Sequence, residues 1–122
     1  GIVFEFKSLP SKLELTADFS LLEKVLINLI KNAFQALGES KDDKVYVSAF
    51  KNIENRVIIT VKDNGKGIPA HIMDDIFIPF YTTKSSGSGI GLSLSRQIMR
   101  LHSGTITVHS IPNKETVFSL VF

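Results

Sequence analysis

Apolar residues recur at helical spacing in two long segments of the chain. In residues 18–37 they lie three or four positions apart along one stripe, which predicts an amphipathic helix. Asp18 stands directly before the stripe as a candidate N-cap, and Gly38 follows it as a stop signal. Residues 89–104 predict a second helix, and residues 71–77 predict a short one. The first stripe consists of Leu22, Val25, Leu26, Leu29, Ile30, Ala33 and Leu37.

Runs rich in β-branched and aromatic residues predict six strands between and around these helices. The first two strands flank a turn that contains Pro10, and the next two form a hairpin through Glu54 and Asn55. Residues 64–88 show little regular pattern, and a loop of that length inside a compact domain is usually functional. The order of elements predicts an α+β sandwich, with one sheet and the helices on one of its faces. The predicted strands are residues 2–6, 12–17, 44–53, 56–63, 105–111 and 116–122.

Composition and charge exclude several classes of function. The chain has 122 residues, 43% of them apolar and 21% charged, which predicts one globular domain over residues 1–122. No apolar run approaches the roughly 18–20 residues of a membrane span, and no signal-peptide pattern is present. The absence of cysteine excludes disulfides, zinc–thiolate sites and thiol nucleophiles. A net charge of +2 without a basic run gives no nucleic-acid patch, and the three histidines lack metal-ligand spacing. Because the chain starts at Gly1 and not at Met, we expect a piece of a longer protein.

Three side-chain amides lie along one face of the first predicted helix. Asn28 and Asn32 are one turn apart, and Gln35 follows one turn later. Asparagine is a mediocre helix former, and a solvated face would more easily carry lysine or glutamate. Amides in this pattern provide oxygen ligands for a hard cation such as Mg²⁺, which also binds substrate phosphates and water. The alternative is a polar seam against a neighbouring loop.

The segment DNGKGIP, residues 63–69, follows a predicted strand with an acid, two glycines and a proline. Taken alone, it is most simply a hairpin turn. Further along, Gly87, Gly89 and Gly91 lead directly into the second long helix. Glycines before a helix N-terminus let the backbone approach an anion, which is the form of a phosphate-binding loop. The Rossmann and P-loop patterns are both absent, and a flexible linker that caps the helix is the alternative.

The segment IFIPFYTTK, residues 76–84, precedes these glycines and is rich in aromatic residues. Aromatic residues in a loop are more often part of a satellite core than of a ligand site. Lys84 lies three residues before Gly87 and is able to neutralise a terminal phosphate, although a lone lysine is usually a solvated charge.

Together, NLIKNAFQAL, DNGKGIP, IFIPFYTTK and GSGIGLSLSRQIM resemble the N, G1, F and G2 boxes of the catalytic, ATP-binding domain of sensor histidine kinases. That fold family, the GHKL or Bergerat family, also includes DNA gyrase, Hsp90 and MutL. The resemblance runs from about Asp18 to the end of the chain, and the form of the last two boxes is similar to the nitrogen-regulation type. It implies a two-layer sandwich whose mixed, mostly antiparallel sheet carries the helices on one face.

The resemblance also implies a role for individual residues. Asp63 would accept a hydrogen bond from the adenine amine, while Gly65 and Gly67 let the backbone pass close to the base. Asn32 would bind Mg²⁺ and Asn28 would lie along the phosphates of ATP. These two residues and Lys84 are the candidate catalytic residues. The remaining candidate ATP-binding residues are Gln35, Ile68, Tyr81, Thr82, Thr83, Gly87, Ser88, Gly89, Ile90, Gly91, Leu92 and Thr116, of which those around residues 78–88 would form a nucleotide-dependent lid.

Two positions depart from the pattern of the family. Glu115 stands where the family commonly has glycine, directly before Thr116, and Gln35 stands where many relatives have a basic residue. ATPases of this superfamily place a glutamate one turn before the Mg²⁺-binding asparagine as general base for water. That position is Asn28, and an amide has no useful basicity. Phosphoryl transfer to a protein is therefore favoured over hydrolysis.

The acceptor of the phosphoryl group is absent from this chain, since His71, His102 and His109 do not match the phosphoacceptor box of the family. We expect a separate, histidine-bearing dimerisation domain in the parent protein as direct partner and a response regulator as indirect partner. The isolated domain would be monomeric and cytoplasmic, without membrane contact, and would not autophosphorylate; a membrane anchor in the parent protein stays an open alternative. The alternatives are a serine kinase or ATPase of the same fold, and a non-catalytic binding module.

Overall fold

The computed structural model describes residues 3–9, 12–38, 41–81 and 89–122. These residues contain five strands, two α-helices and one 3₁₀ helix. The strands are β1 (Val3–Leu9), β2 (Lys44–Lys51), β3 (Val57–Asp63), β4 (Thr105–Ile111) and β5 (Glu115–Val121). The α-helices are α1 (Phe19–Ala36) and α2 (Gly91–Leu101), and the 3₁₀ helix spans Ala70–Asp75.

The five strands form one sheet in the order β1-β2-β3-β5-β4. β1 runs parallel to β2, and the other neighbouring pairs are antiparallel. The predicted hairpin is confirmed, because β2 and β3 are antiparallel neighbours in sequence and in the sheet. The mixed, mostly antiparallel sheet expected from the resemblance is also confirmed.

Both α-helices cover the same face of the sheet. The side chains that point from β3 toward them are buried at every second residue, as the pleat of a strand requires. Val25, Leu29 and Ala33 of α1 join Ile98 and Met99 of α2 in one core cluster with these strand residues. No helix in the described ranges is long and apolar enough to cross a membrane.

The N-terminus of α1 is fixed by two different contacts. The Asp18 carboxylate accepts a hydrogen bond from the Leu21 N–H at 3.0 Å, which confirms it as the N-cap. The backbone N–H of Asp18 donates to His102 Nε2 at 3.0 Å, just beyond the end of α2. The start of α1 is therefore joined to the end of α2 through a backbone group and a side-chain group.

The strand predicted at residues 12–17 is wrong, because residues 13–18 have no regular secondary structure. β1 continues through Ser8 and Leu9, and Pro10 and Ser11 of the predicted turn lie outside the described residues. Leu13 and Leu15, which alternate with polar residues, nevertheless pack against the core. Alternation accompanies the burial of every second side chain, whereas a strand also needs a hydrogen-bonded neighbour, and no strand pairing among the described residues involves residues 12–17.

Candidate functional site

Three polar residues lie side by side across three strands, on the face that α1 and α2 cover. Asp63 of β3 is the cross-strand neighbour of Thr116 of β5, and Thr116 is the neighbour of Ser110 of β4. Asp63 is 4% exposed and Thr116 is 3% exposed, so both are buried at the end of the sheet. We call Asp63, Thr116 and Ser110 the polar row. Two of its members were predicted from the sequence as ATP-binding residues.

The turn after Asp63 packs tightly between two other elements. The Gly65 N–H donates to the Asp63 carboxylate at 2.9 Å, and the Lys66 N–H donates to the Ala36 carbonyl at the end of α1 at 3.0 Å. A side chain at Gly65 would collide with that same Ala36 carbonyl. Gly67 has a φ of 72° and lies against the backbone of Ile111. The two glycines therefore let one short turn contact both α1 and the β4–β5 connection, while holding the carboxylate in place.

Of the three amides of α1, Asn28 lies where the start of α2 meets α1. Asn28 and Asn32 are partly buried, whereas Gln35 is exposed. The Asn28 side chain fills the space into which a Cβ atom at Gly91 would project. Its Nδ2 is 3.5 Å from the Ser95 hydroxyl, which itself donates to the Gly91 carbonyl at 2.8 Å. Asn28 is thus packed directly against the first turn of α2.

The N-terminus of α2 has the properties expected of an anion site. Ile90 stands at its N-cap position and provides no side-chain acceptor. The first turn of the helix contains no acidic residue, and its positive dipole end and N–H groups favour a bound anion. The helix begins at Gly91, so Gly89 and Ile90, which were predicted to be helical, precede it.

The segment before the glycine-rich loop packs partly into the core. Tyr81, Ile68 and Leu92 are partly buried against the core cluster. The Arg96 guanidinium lies 5.1 Å from the centre of the Phe77 ring, which joins this segment to α2. The Phe80 N–H donates to the Gly89 carbonyl at 2.8 Å, and a side chain at Gly89 would collide with the Phe80 backbone. The predicted site residues Thr82, Thr83, Lys84, Gly87 and Ser88 lie outside the described residues.

A shallow depression of about 460 Å³ lies beside the polar row, between the end of α1 and the turn after β3. Two predicted site residues, Gln35 and Gly65, line it, together with Asp43, Asn64 and Lys66. Asn64 fixes one wall, since its side chain accepts from the Lys44 N–H and donates to the Asp42 carbonyl. Gln35 therefore faces a surface that Asn28 and Asn32 do not line.

Glu115, which stands where glycine is common in the family, fits its position without a special backbone conformation. It begins β5, pairs with Ile111 across the strand ladder and lies 3.9 Å from Lys62 Nζ. The left-handed backbone of this turn falls on Asn113, with a φ of 62°. Asparagine tolerates that conformation better than most residues, so the turn closes without a glycine.

The described residues do not form a metal site from charged side chains alone. Among residues 3–9, 12–38, 41–81 and 89–122, no group of three or more histidine, aspartate or glutamate side chains could hold a metal ion. An asparagine oxygen with phosphate oxygens and water is a set that Mg²⁺ accepts, because this ion prefers oxygen ligands and retains several waters. The residues present therefore fit a Mg²⁺ ion that arrives with a nucleotide.

Two residues with evident positions in the site were not predicted from the sequence: Ser110 and Ser95. Each interrupts an otherwise apolar stripe. Ser110 continues the inward series of Ile106 and Val108 in β4, and Ser95 is 2% exposed in the stripe of Ile98 and Met99. A hydroxyl at a buried stripe position needs a polar partner, and that requirement is the signal by which they could have been found.

The sheet, the two helices on one face and the order of the four sequence segments are the features of one known family of domains. The chain belongs to the family described as histidine kinase-, DNA gyrase B- and HSP90-like ATPases, whose profile matches residues 17–122. It is 39% identical over 107 residues to the signal transduction histidine-protein kinase AtoS of Escherichia coli, covering 88% of this chain and 17% of AtoS. It is 42% identical over 104 residues to the sensor histidine kinase ZraS of Salmonella typhimurium, covering 85% of this chain and 22% of ZraS.

The fold is similar to that of a solved histidine kinase domain. The catalytic domain of the histidine kinase ThkA superimposes with a TM-score of 0.85 at 34% identity, covering 99% of this chain and 78% of that one. Membership of the histidine kinase-type family and its α+β fold, both predicted from the four segments, are therefore confirmed. The chain spans 17–22% of the length of the relatives AtoS and ZraS.

Proposed function

We propose that this domain binds Mg-ATP and transfers the γ-phosphoryl group to a histidine on a separate dimerisation domain of a two-component sensor kinase. The observation that carries the proposal is the polar row: a buried carboxylate beside a buried threonine, at a strand end fixed by two glycines. In a chain of the histidine kinase-type family, a buried carboxylate at this point is a suitable hydrogen-bond acceptor for the amine of a purine.

At the base end, Asp63 would select adenine. Its carboxylate is an acceptor only, and the exocyclic amine of adenine is a donor. Guanine has a carbonyl at the same ring position, which would face the carboxylate as a second acceptor. Because Asp63 is buried, the unfavourable pairing would not be relieved by water.

At the phosphate end, Asn32 would bind Mg²⁺ and Asn28 would contact the phosphates. The N-terminus of α2 lies against Asn28 and would add backbone N–H donors and a positive dipole end. When bound, Mg²⁺ neutralises charge on the phosphate oxygens and orients the transferred group. Lys84 would add a further positive charge there.

Transfer to a protein is favoured over hydrolysis because α1 offers no general base at the required place. Asn28 occupies that place, and the nearest preceding acid, Glu23, is five residues earlier and about 140° around the helix. Glu23 is exposed in α1 and would not reach water bound at the phosphates.

None of the three histidines of this chain matches the phosphoacceptor box of the family, which supports an acceptor in another domain. Both ring nitrogens of His102 are engaged, Nε2 with the Asp18 N–H and Nδ1 with the Ile98 carbonyl at 2.8 Å. His71 lies in the 3₁₀ helix and His109 is exposed in β4. The direct partner would be the dimerisation domain of the same parent protein, in the cytoplasm, with a response regulator downstream.

Calorimetry and a phosphate-release assay on this chain test the proposal. We expect Mg²⁺-dependent binding of ATP together with very slow release of phosphate and no label on the chain. Brisk phosphate release without an acceptor would identify an ATPase instead, and the absence of Mg²⁺-dependent nucleotide binding would identify an interaction module.

A further inference from the structure

The Ser110 hydroxyl stands at the end of the polar row and contacts three groups at hydrogen-bonding distance. Its oxygen is 2.8 Å from the Ile68 backbone nitrogen, 2.9 Å from the Glu115 carbonyl oxygen and 2.8 Å from Thr116 Oγ1. These partners come from the turn after β3, the start of β5 and the buried threonine. The Ser110 side chain therefore connects the turn after β3 with the start of β5, directly beside Thr116.

The donor and acceptor capacity of a hydroxyl group decides the direction of these bonds. A serine hydroxyl has one proton to donate and two lone pairs to accept. The Ile68 N–H can only donate to it, and the Glu115 carbonyl can only accept from it. All three bonds form together only if Ser110 gives its proton to Glu115 and accepts the proton of Thr116. Thr116 Oγ1 is then left with acceptor capacity alone.

We propose that Ser110 is a positioning residue for base recognition: it takes up the hydroxyl proton of Thr116, so that Thr116 and Asp63 present only acceptors to the base. This inference rests on the proposed function, because it assumes that the polar row receives adenine. Ser110 does not contact the base in this account; it acts through Thr116.

A site that presents only hydrogen-bond acceptors distinguishes purine bases by the group at position 6 of the ring, where it favours a donor over a carbonyl. Adenine has an amine there and inosine has a carbonyl, while neither base has the additional 2-amino group of guanine. ATP and ITP therefore differ only at position 6 and at the adjoining N1. If the Thr116 hydroxyl were released from Ser110, its proton could rotate toward a carbonyl and reduce the penalty on ITP.

The test is calorimetry with Mg-ATP and Mg-ITP on the wild type, Ser110→Ala and Ser110→Thr. We expect Ser110→Ala to lower the preference for ATP over ITP by about five- to tenfold, the effect of one hydrogen bond of ordinary strength. Ser110→Thr retains the hydroxyl and should keep the preference. A matched control is Ser48→Ala, which breaks the cross-strand hydroxyl pair Ser48–Thr60 on the opposite face of the same sheet.

A second pair of variants tests whether Ser110 acts through Thr116. Thr116→Val alone should lower the preference for ATP, and adding Ser110→Ala to it should change the preference no further. An unchanged preference in Ser110→Ala or in Thr116→Val would overturn the inference, and so would a full additional effect in the double variant. A wild type that binds neither nucleotide would overturn the proposed function as well, whereas wild-type binding with unaltered variants would overturn this inference alone.

Discussion

Asp63 is almost entirely removed from solvent at the end of β3, and the Gly65 N–H donates to it. A carboxylate in such a place costs free energy unless hydrogen-bond donors surround it, so its presence requires a structural or a functional reason. Gly65 provides one donor, and an adenine amine would provide another. The residue is therefore the most direct point at which to test base recognition.

Replacing Asp63 with asparagine should weaken ATP binding by about 1–3 kcal/mol, since a charge-assisted hydrogen bond becomes a neutral one with a misplaced donor. The preference for ATP over GTP should fall as well, because the new amide can donate to a carbonyl. Calorimetry with both nucleotides measures this, with Asp74→Asn on the exposed side of the 3₁₀ helix as control. A wild type that binds GTP as tightly as ATP would refute the role of Asp63.

In the proposed function, Asn32 would bind Mg²⁺ at the phosphate end of the site. Asn32→Ala should abolish phosphoryl transfer to the dimerisation domain and leave adenosine binding largely intact, because Mg²⁺ contacts the phosphates and not the base. Gln97→Ala, an exposed amide on α2, is the matched control. Transfer at the wild-type rate by the Asn32 variant would rule it out as a required ligand.

The residues of the candidate site differ in whether the sequence alone identified them. Asp63 was found because it lies in one of the four segments, and Thr116 because it resembles a late threonine of the family, although they are 53 positions apart in the chain and only the β3–β5 register brings them together. Ser110 lies outside the four segments, and Ser95 lies within the last of them but was not singled out there. Their roles depend on partners in other elements, and a one-dimensional pattern does not contain those partners.

At the scale of elements, the contact between α1 and α2 places the Asn28 amide against the N-terminus of α2. The Gly91 backbone lies so close to Asn28 that only hydrogen fits between them, and Ser95 holds the next turn of α2 beside the same amide. The position of Asn28 is therefore set by α2 as much as by its own helix.

Gly91→Ala tests this contact, because two effects oppose each other there. Alanine is the better helix former by up to about 1 kcal/mol, whereas its methyl group would displace the Asn28 side chain. We expect little change in the thermal unfolding midpoint but a clear loss of phosphoryl transfer. Gly38→Ala is the control, since nothing lies within 4 Å of a Cβ atom there. Equal transfer rates in both variants would show that Asn28 need not be held by Gly91.

The helices and the last four strands were predictable from periodicity, because each of these elements buries a regularly spaced series of its own side chains. The exception is residues 12–17, where Leu13 and Leu15 are buried without a strand. Local pattern specifies which side chains turn inward, while the parallel pairing of β1 with β2 depends on residues more than 40 positions away. Pairing of that kind is decided by the whole chain.

At the scale of the whole molecule, the domain combines two features of a kinase that acts on another domain. It has the fold of the histidine kinase-type family with a buried acid and two helical amides. It has no general base at Asn28, and none of its three histidines matches the phosphoacceptor box of the family. Phosphoryl transfer depends mostly on positioning and charge stabilisation, so the partner domain can supply the nucleophile.

Separation of the two domains has a quantitative consequence. A short flexible linker gives an effective concentration on the order of millimolar, whereas separate domains meet only at the concentration at which they are mixed. The reaction in trans should therefore be slow, and its rate should rise with the concentration of the acceptor domain.

The most direct test of the account is to mix this chain and γ-labelled Mg-ATP with the histidine-bearing dimerisation domain of its parent protein. We predict no label on this chain alone, and label on the added domain that is lost in acid and kept in alkali, as phosphohistidine requires. The Asn32→Ala variant should give none. Acid-stable label on a serine would contradict histidine transfer, and rapid phosphate release with no labelled protein would contradict the kinase account altogether.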